Sequence, residues 1–250
     1  MAASKPSIVF VPGGWHSPTC YDKVATLLQA SGYPTSYVHL PSIGDPNPKY
    51  PNFLPDIGAI RSRLMSEISQ DKRVLLVVHS YSGVPGSEAV RGLDLKTRQE
   101  KGLKGGVQHI FYTSSFLVPE GKSLSTAFPG DGIPPLYDIS EDGLTTFPRT
   151  PNENFYNEMS EEEQICAAKH LSVMSYKVLS SEVTFAAWKF VPSTYLFCNR
   201  DQAIPIFLQR KMVEEWAEGY EVRTEWLDTD HSPFYSKAEE MAKMLKRAAG

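Results

Sequence analysis

Arg73-Val74-Leu75-Leu76-Val77-Val78-His79-Ser80-Tyr81-Ser82-Gly83 is the stretch on which the fold turns. The run from Val74 to Val78 is aliphatic at every position. Such a run predicts a central parallel strand covered on both faces, because a half-exposed strand would alternate with polar residues. A helix is predicted from about Gly83, so the chain must reverse within His79-Ser80-Tyr81. A turn that tight between strand and helix strains its middle residue and projects the Ser80 hydroxyl clear of the sheet, at the carboxyl end of the strands.

The flanks repeat the pattern. Ser7 to Val11 reads as a short strand that ends at Pro12-Gly13-Gly14. Tyr21 to Ala30 has helical spacing and closes at Gly32, and Thr35 to Leu40 reads as a strand. A proline-rich loop (Pro41, Pro46, Pro48, Pro51, Pro55) leads to an amphipathic helix over Asp56 to Ile68, with Ile57, Ile60, Leu64 and Ile68 on one face. Strands are predicted at Val107 to Tyr112, Ser193 to Cys198 and Glu221 to Trp226, with helices at Ile206 to Ala217 and Lys237 to Arg247. Alternating strand and helix predicts an α/β fold, a doubly wound and mostly parallel sheet.

One block breaks the alternation. Residues 118–186 begin with loop chemistry (Pro119, Gly121, Pro129, Gly130, Gly132, Pro134, Pro135). They then turn helical after Ser160, which forms a capping box with Glu163. A second helical piece is predicted over Ser175 to Leu179. This block reads as a helical cap inserted into a core made of residues 1–117 and 187–250. It is acidic, with 11 acids against 4 bases, a balance that disfavours polyanionic substrates.

Composition narrows the function classes. The chain has 250 residues, 41% hydrophobic and 22% charged, which is globular rather than disordered. Its net charge of −4 offers no basic face for nucleic acid. The first apolar run is only about five residues, too short for a signal peptide core, and no run approaches the ~20 residues of a membrane span. The expectation is a soluble cytoplasmic protein with a small-molecule substrate and no nucleic-acid or membrane partner, with a homodimer left open. Cys20, Cys166 and Cys198 have neither CxxC spacing nor metal-ligand spacing, so they are expected to be reduced thiols with no metal bound.

A serine hydroxyl attacks poorly without a base. Of six histidines, His39, His109 and His170 lie within or at the ends of predicted elements. The side chain of His79 should leave its strand on the side opposite Ser80. His16 sits in the first loop. His231, in Asp230-His231-Ser232-Pro233-Phe234, follows the last strand at the same carboxyl edge as Ser80, and is the preferred base. The base needs a carboxylate to fix its tautomer. Asp201, in Asn199-Arg200-Asp201-Gln202-Ala203, opens at that edge too. Asp228 and Asp230 share the turn of His231 and read as turn formers. Donors for a developing oxyanion are expected from the backbone N–H groups of Tyr81 and of Gly14, with Trp15 as the alternative to Gly14. Trp15, Phe116 and Phe234 are candidates to line an apolar pocket, more often packing residues than contacts when taken singly.

These segments resemble the α/β-hydrolase fold superfamily over nearly the whole chain. Val-Pro-Gly-Gly-Trp-His resembles its oxyanion loop, Val-His-Ser-Tyr-Ser-Gly its nucleophile elbow, Asn-Arg-Asp-Gln-Ala-Ile-Pro its acid loop, and Asp-His-Ser-Pro-Phe its histidine loop. The elbow departs from G-x-S-x-G, with Val78 and Ser82 at the glycine positions, and Pro12 stands where relatives usually have histidine. More narrowly, the chain is similar to the small methyl esterase and hydroxynitrile lyase-like group. The resemblance implies a Ser80–His231–Asp201 triad and an acyl-enzyme, with no cofactor. The lyases use a threonine in the oxyanion loop and a lysine near the histidine. Gly13 and Ser232 occupy those places here, which disfavours cyanohydrin cleavage. Ester or lactone hydrolysis is the leading expectation. The alternatives are acid/base chemistry of the lyase, retro-aldol or isomerase kind on the same constellation, or a non-catalytic receptor for a small molecule.

Overall fold

The computed structural model describes residues 5–48, 50–128 and 136–250. Of the predicted loop residues, Pro129, Gly130, Gly132, Pro134 and Pro135 lie outside these.

Six parallel strands form the main sheet: β1 (Ser7–Val11), β2 (Thr35–Tyr37), β3 (Arg73–Ser80), β4 (Gly106–Ser115), β8 (Ser193–Cys198) and β9 (Val222–Leu227). Their spatial order is β2-β1-β3-β4-β8-β9. The chain starts at β1, steps outward to β2, then returns past β1 to β3. The winding direction therefore reverses between β1 and β3. In open α/β sheets the crevice outside the carboxyl ends at such a reversal is where ligands bind. Gly13 follows β1 and Ser80 ends β3, so the candidate oxyanion loop and nucleophile flank that crevice.

The two faces of the sheet are packed separately, as the period of a strand requires. Val9, Leu76, Val78, Tyr112 and Phe197 point into one core. Their chain neighbours Phe10, Leu75, Val77, Phe111 and Cys198 point into the other. Helices α2 (Leu54–Ile68) and α3 (Gly83–Val90) supply Ile60, Leu64, Val84 and Val90 to the first core. Helices α1 (Asp22–Ala30) and α10 (Ala238–Ala249) supply Leu28, Met241 and Leu245 to the second. The apolar run at β3 reads as it does because both of its faces are covered. Close helix–strand approach also explains where the glycines fall: a Cβ on Gly83 would lie 2.4 Å from the Phe116 carbonyl oxygen, and one on Gly86 would lie 2.6 Å from Val78 Cγ1.

The remaining core helices are α4 (Leu95–Glu100), α8 (Ile206–Arg210), which continues as a π-helical turn over Lys211–Trp216, and α9 (Pro233–Ser236). Strand β9 is one margin of the sheet and β2, three residues long, is the other.

The cap differs from the helical insertion expected. It holds α5 (Leu124–Ala127), α6 (Pro151–Phe155) and α7 (Glu161–Ala168), but also a three-stranded antiparallel sheet, β5 (Tyr137–Ile139), β6 (Thr145–Pro148) and β7 (Met174–Ser175). Strands of three, four and two residues are too short to show a period of two. The capping box at Ser160 and Glu163 forms, with the Ser160 hydroxyl accepting from the Glu163 N–H and the Glu163 carboxylate accepting from the Ser160 N–H. No helix among the described residues is long and apolar enough to cross a membrane.

Candidate active site

Left-handed backbone marks the carboxyl ends of three adjacent strands. Trp15, just beyond β1, has φ 63°, Ser80 at the end of β3 has φ 51°, and Ser114 near the end of β4 has φ 35°. Residues with a Cβ hold such angles at a cost of about 1–3 kcal/mol each, and only where the surroundings enforce them. At Ser80 the enforcement is visible. The Ser80 carbonyl accepts from Ser115 Oγ at 2.9 Å and from the Phe116 N–H at 3.1 Å. The Ser82 hydroxyl, fully buried, accepts from the His79 N–H at 2.9 Å and lies 3.0 Å from the Val11 carbonyl oxygen, to which it can donate. Serine at the second glycine position of the expected motif thus ties the elbow to β1. Gly13 packs directly beneath, since a Cβ there would lie 3.0 Å from Ser80 Cβ and 2.5 Å from His79 Nδ1.

His231 and Asp201 meet at the same rim. His231 Nδ1 lies 2.7 Å from Asp201 Oδ2. A carboxylate only accepts, so Nδ1 carries the proton and Nε2 keeps its lone pair. Of the three aspartates weighed from sequence, Asp201 is the one that reaches the ring. Asp228 pairs with the Arg200 guanidinium through both oxygens, at 2.9 and 2.7 Å. Asp230 Oδ1 accepts from the Ser232 N–H and Ser236 Oγ within its own turn, and burial raises its pKa. Asp201 Oδ1 accepts from the N–H groups of Ala203 (2.7 Å) and Ile204 (2.8 Å), and Oδ2 also accepts the Ser114 hydroxyl. Among the described residues no hydrogen bond joins the Ser80 hydroxyl to the His231 ring, a link that hydrolytic sites often tighten only around substrate. Neither the Gly14 nor the Tyr81 N–H has a partner among the described residues, so both donors remain available.

A family model described as the alpha/beta hydrolase family matches residues 8–244. The chain belongs to that family. Its similar proteins include an alpha/beta hydrolase, nvfD, from Aspergillus novofumigatus, 29% identical over 98% of this chain and 97% of the relative. Methylesterase 1 from Arabidopsis thaliana is 24% identical over 98% of this chain and 96% of its own length. Among solved structures, polyneuridine aldehyde esterase superposes with a TM-score of 0.77 at 20% identity, covering 98% of this chain and 100% of that one.

Within this alpha/beta hydrolase, several residues around the site were not legible in advance. Ser114 is the extra residue of a β-bulge: His79 pairs with Thr113 and Ser80 with Ser115, which skips Ser114 and turns its hydroxyl toward Asp201. Gln209 on α8 is fully buried and spans Cys198 N and O and the Ile204 carbonyl, holding the acid loop. Asp56, read as a helix start, is fully buried. It accepts from the Tyr81 hydroxyl (2.6 Å), the Ser42 hydroxyl (2.6 Å) and the Ser42 N–H (2.9 Å), and burial raises its pKa.

One expected position is corrected, that of Phe234. His79 lies beside the histidine loop. Its ring centroid is 4.4 Å from that of His231, and its Nε2 donates to the His231 carbonyl at 2.9 Å. Phe234 has no exposed surface and packs against Tyr21 and His79, so it backs the histidine loop. Phe116 is half-buried, with its ring 5.8 Å from Phe128, which lies 5.2 Å from Trp216. These three rings form an aromatic row beyond the end of β4. Trp15 is 9% exposed and packs into the cap.

The buried histidines make stability depend on acid. His16 Nδ1 donates to the Gly14 carbonyl at 2.8 Å and Nε2 accepts from the Tyr156 hydroxyl at 3.0 Å, so the neutral ring is fully satisfied. Burial holds its pKa down at about 4, and burial with the charges of His231 and His16 holds His79 well below its ordinary value. The unfolded chain binds protons near pH 6.5 that the folded chain refuses. This stabilisation is complete above 6.5 and is lost as pH falls from there to about 4. For His16 alone the loss between pH 7 and 5 is about 2 kcal/mol. The melting temperature should therefore drop by roughly 4–8 °C over that interval, and His16→Gln should flatten the slope. A Tm equal at pH 7 and 5 would contradict the assignment.

Proposed function

We propose that this alpha/beta hydrolase is a serine esterase that cleaves a small, largely apolar carboxylic ester or lactone. The single observation that carries the reading is the His231 Nδ1–Asp201 Oδ2 contact of 2.7 Å at the rim where strained Ser80 ends β3. Ser80 Oγ adds to the ester carbonyl and its proton passes to His231 Nε2. Asp201 stabilises the imidazolium, and the N–H groups of Gly14 and Tyr81 donate hydrogen bonds to the oxyanion. The tetrahedral adduct collapses, the alcohol leaves with the proton from His231, and an acyl-enzyme remains. Water, deprotonated by His231, adds to the acyl carbonyl; that adduct collapses, Ser80 Oγ leaves and takes the proton back from His231, and the acid is released. The steps use protein groups and water alone. The aromatic row of Phe116, Phe128 and Trp216 favours an apolar substrate portion. The esterase names among the relatives support an ester as the reacting group.

Fluorophosphonate labelling tests the reading. Intact mass should rise by one phosphonyl group, the labelled peptide should contain Ser80, and His231→Ala should abolish labelling. Labelling at Ser80 without hydrolysis of any ester or lactone, together with turnover of another substrate that survives in Ser80→Ala, would replace the esterase reading with acid/base chemistry. Tight binding of a small molecule with no labelling would replace it with a receptor.

A further inference from the structure

The loop after β1 is shaped by the cap. Trp15 at φ 63° occupies a region that a bulky residue enters only under constraint. Its indole N–H donates to the Thr146 carbonyl (3.1 Å) and hydroxyl (3.2 Å), and its own carbonyl accepts from the Ser172 N–H at 2.8 Å. Its ring stacks 5.9 Å from Phe155 at 22°. The residue after it, His16, is held by Tyr156 at 3.0 Å. On the residue before it, Gly14, a Cβ would lie 2.9 Å from Met174 Sδ. Three consecutive loop residues therefore touch one stretch of the cap.

That stretch also reaches the other two loops of the site. Asn157 Nδ2 donates to the Arg200 carbonyl at 3.0 Å beside Asp201, and the Glu158 N–H donates to Asp230 at 3.2 Å beside His231. Its far end is pinned behind β2, where the Gly44 N–H meets the Val173 carbonyl at 2.9 Å and the Ser175 N–H meets the Ser42 carbonyl at 2.8 Å.

We propose that cap residues 145–175 are a fixed wall of the oxyanion hole, and that Trp15 is the positioning residue through which the cap aims the Gly14 N–H. The inference rests on the reading of Ser80 as nucleophile. Its physical basis is that Gly13 and Gly14 have no Cβ and little conformational preference of their own. The Gly14 N–H shares its peptide plane with the Gly13 carbonyl, which accepts from the His16 N–H at 3.3 Å, and the following peptide is clamped by the Trp15 contacts and by the His16 Nδ1–H bond to the Gly14 carbonyl at 2.8 Å. An oxyanion donor works only when it is fixed before charge develops. A cap that swung away as one body would break these contacts in every cycle.

Trp15→Phe removes the indole N–H bonds and keeps a stacking ring. With a p-nitrophenyl ester, kcat should fall ten- to a hundredfold while KM stays within threefold. Phenylboronic acid adds Ser80 Oγ to boron, the serine proton passing to His231, and so mimics the tetrahedral adduct. Its inhibition should weaken by the same factor as kcat/KM. A lowered Tm with kcat and boronate affinity within twofold of wild type would overturn the proposal, since the ring would then only pack. A rise in KM with unchanged kcat would also overturn it, since the ring would then face substrate. If Trp15→Phe does not fold, Thr146→Val carries the test, with an expected three- to tenfold loss of kcat. A loss below twofold there overturns the proposal. Failure of the esterase reading is distinguishable, because it appears in the wild-type protein as absent Ser80 labelling and absent ester turnover.

Discussion

Ser80→Ala should lower kcat/KM for esters by about 10⁵-fold or more, leaving only what binding and the oxyanion donors contribute. The fold should scarcely notice. Among the described residues the hydroxyl has no hydrogen-bond partner, and the residue is 8% exposed, so its removal strands none of them. Ser80→Gly makes the separation sharper. Glycine accepts φ 51° without the Cβ penalty, so this variant should be equally inactive and melt about 2 °C higher. Steady-state kinetics beside thermal melts of the three proteins decide the matter. Retention of more than 1% of wild-type kcat/KM in Ser80→Ala would remove Ser80 from the nucleophile role.

Asp201→Asn should cost about 10⁴-fold in kcat with little change in KM. The magnitude follows from the bonds around the carboxylate. Oδ1 accepts from two N–H groups, Ala203 and Ile204, so an asparagine keeps its oxygen there and turns its NH₂ toward His231. That NH₂ can only donate, so the imidazole must present a lone pair at Nδ1 and carry its proton on Nε2. The ring then faces Ser80 with a hydrogen where a base is needed. The Ser114 hydroxyl also loses its acceptor, an additional cost of about 1–3 kcal/mol in stability. Single-turnover acylation and a denaturant melt separate the two effects. A loss of kcat below tenfold would mean that His231 keeps its tautomer without Asp201.

Much of this site was legible because its parts obey local rules. The aliphatic run Val74–Val78 could only be a doubly covered strand, and the loops that follow parallel strands must open on one rim, which gathers Ser80, Asp201 and His231 there. Choosing Asp201 over Asp228 and Asp230 rested on its loop opening at the carboxyl edge, and on a neighbour in a tight turn rarely presenting its carboxylate to the far ring nitrogen. What escaped reading depends on contacts between distant segments. Ser114 meets Asp201 because a bulge re-aims it, and a bulge leaves no mark in composition. Asp56 sits where any helix might begin, and its burial under Tyr81 is decided by packing. His79 supports His231 from a residue 152 positions earlier. Phe234 looked like a pocket residue for its place beside the histidine, yet neighbouring aromatic rings enclose it. The cap strands are too brief for periodicity, so only helical pieces were announced there, by the capping box at Ser160 and by the stretch from Ser175 to Leu179.

The margins of the main sheet bear on how molecules of this protein meet one another. At one side the last strand is only three residues long. At the other, Glu225 is gripped by the Arg247 fork at 2.9 Å, beside an exposed Arg223. A second molecule trying to extend the ladder from that side would have to strip water from fixed charges of both signs. Lengthening of the sheet through β9 is therefore disfavoured.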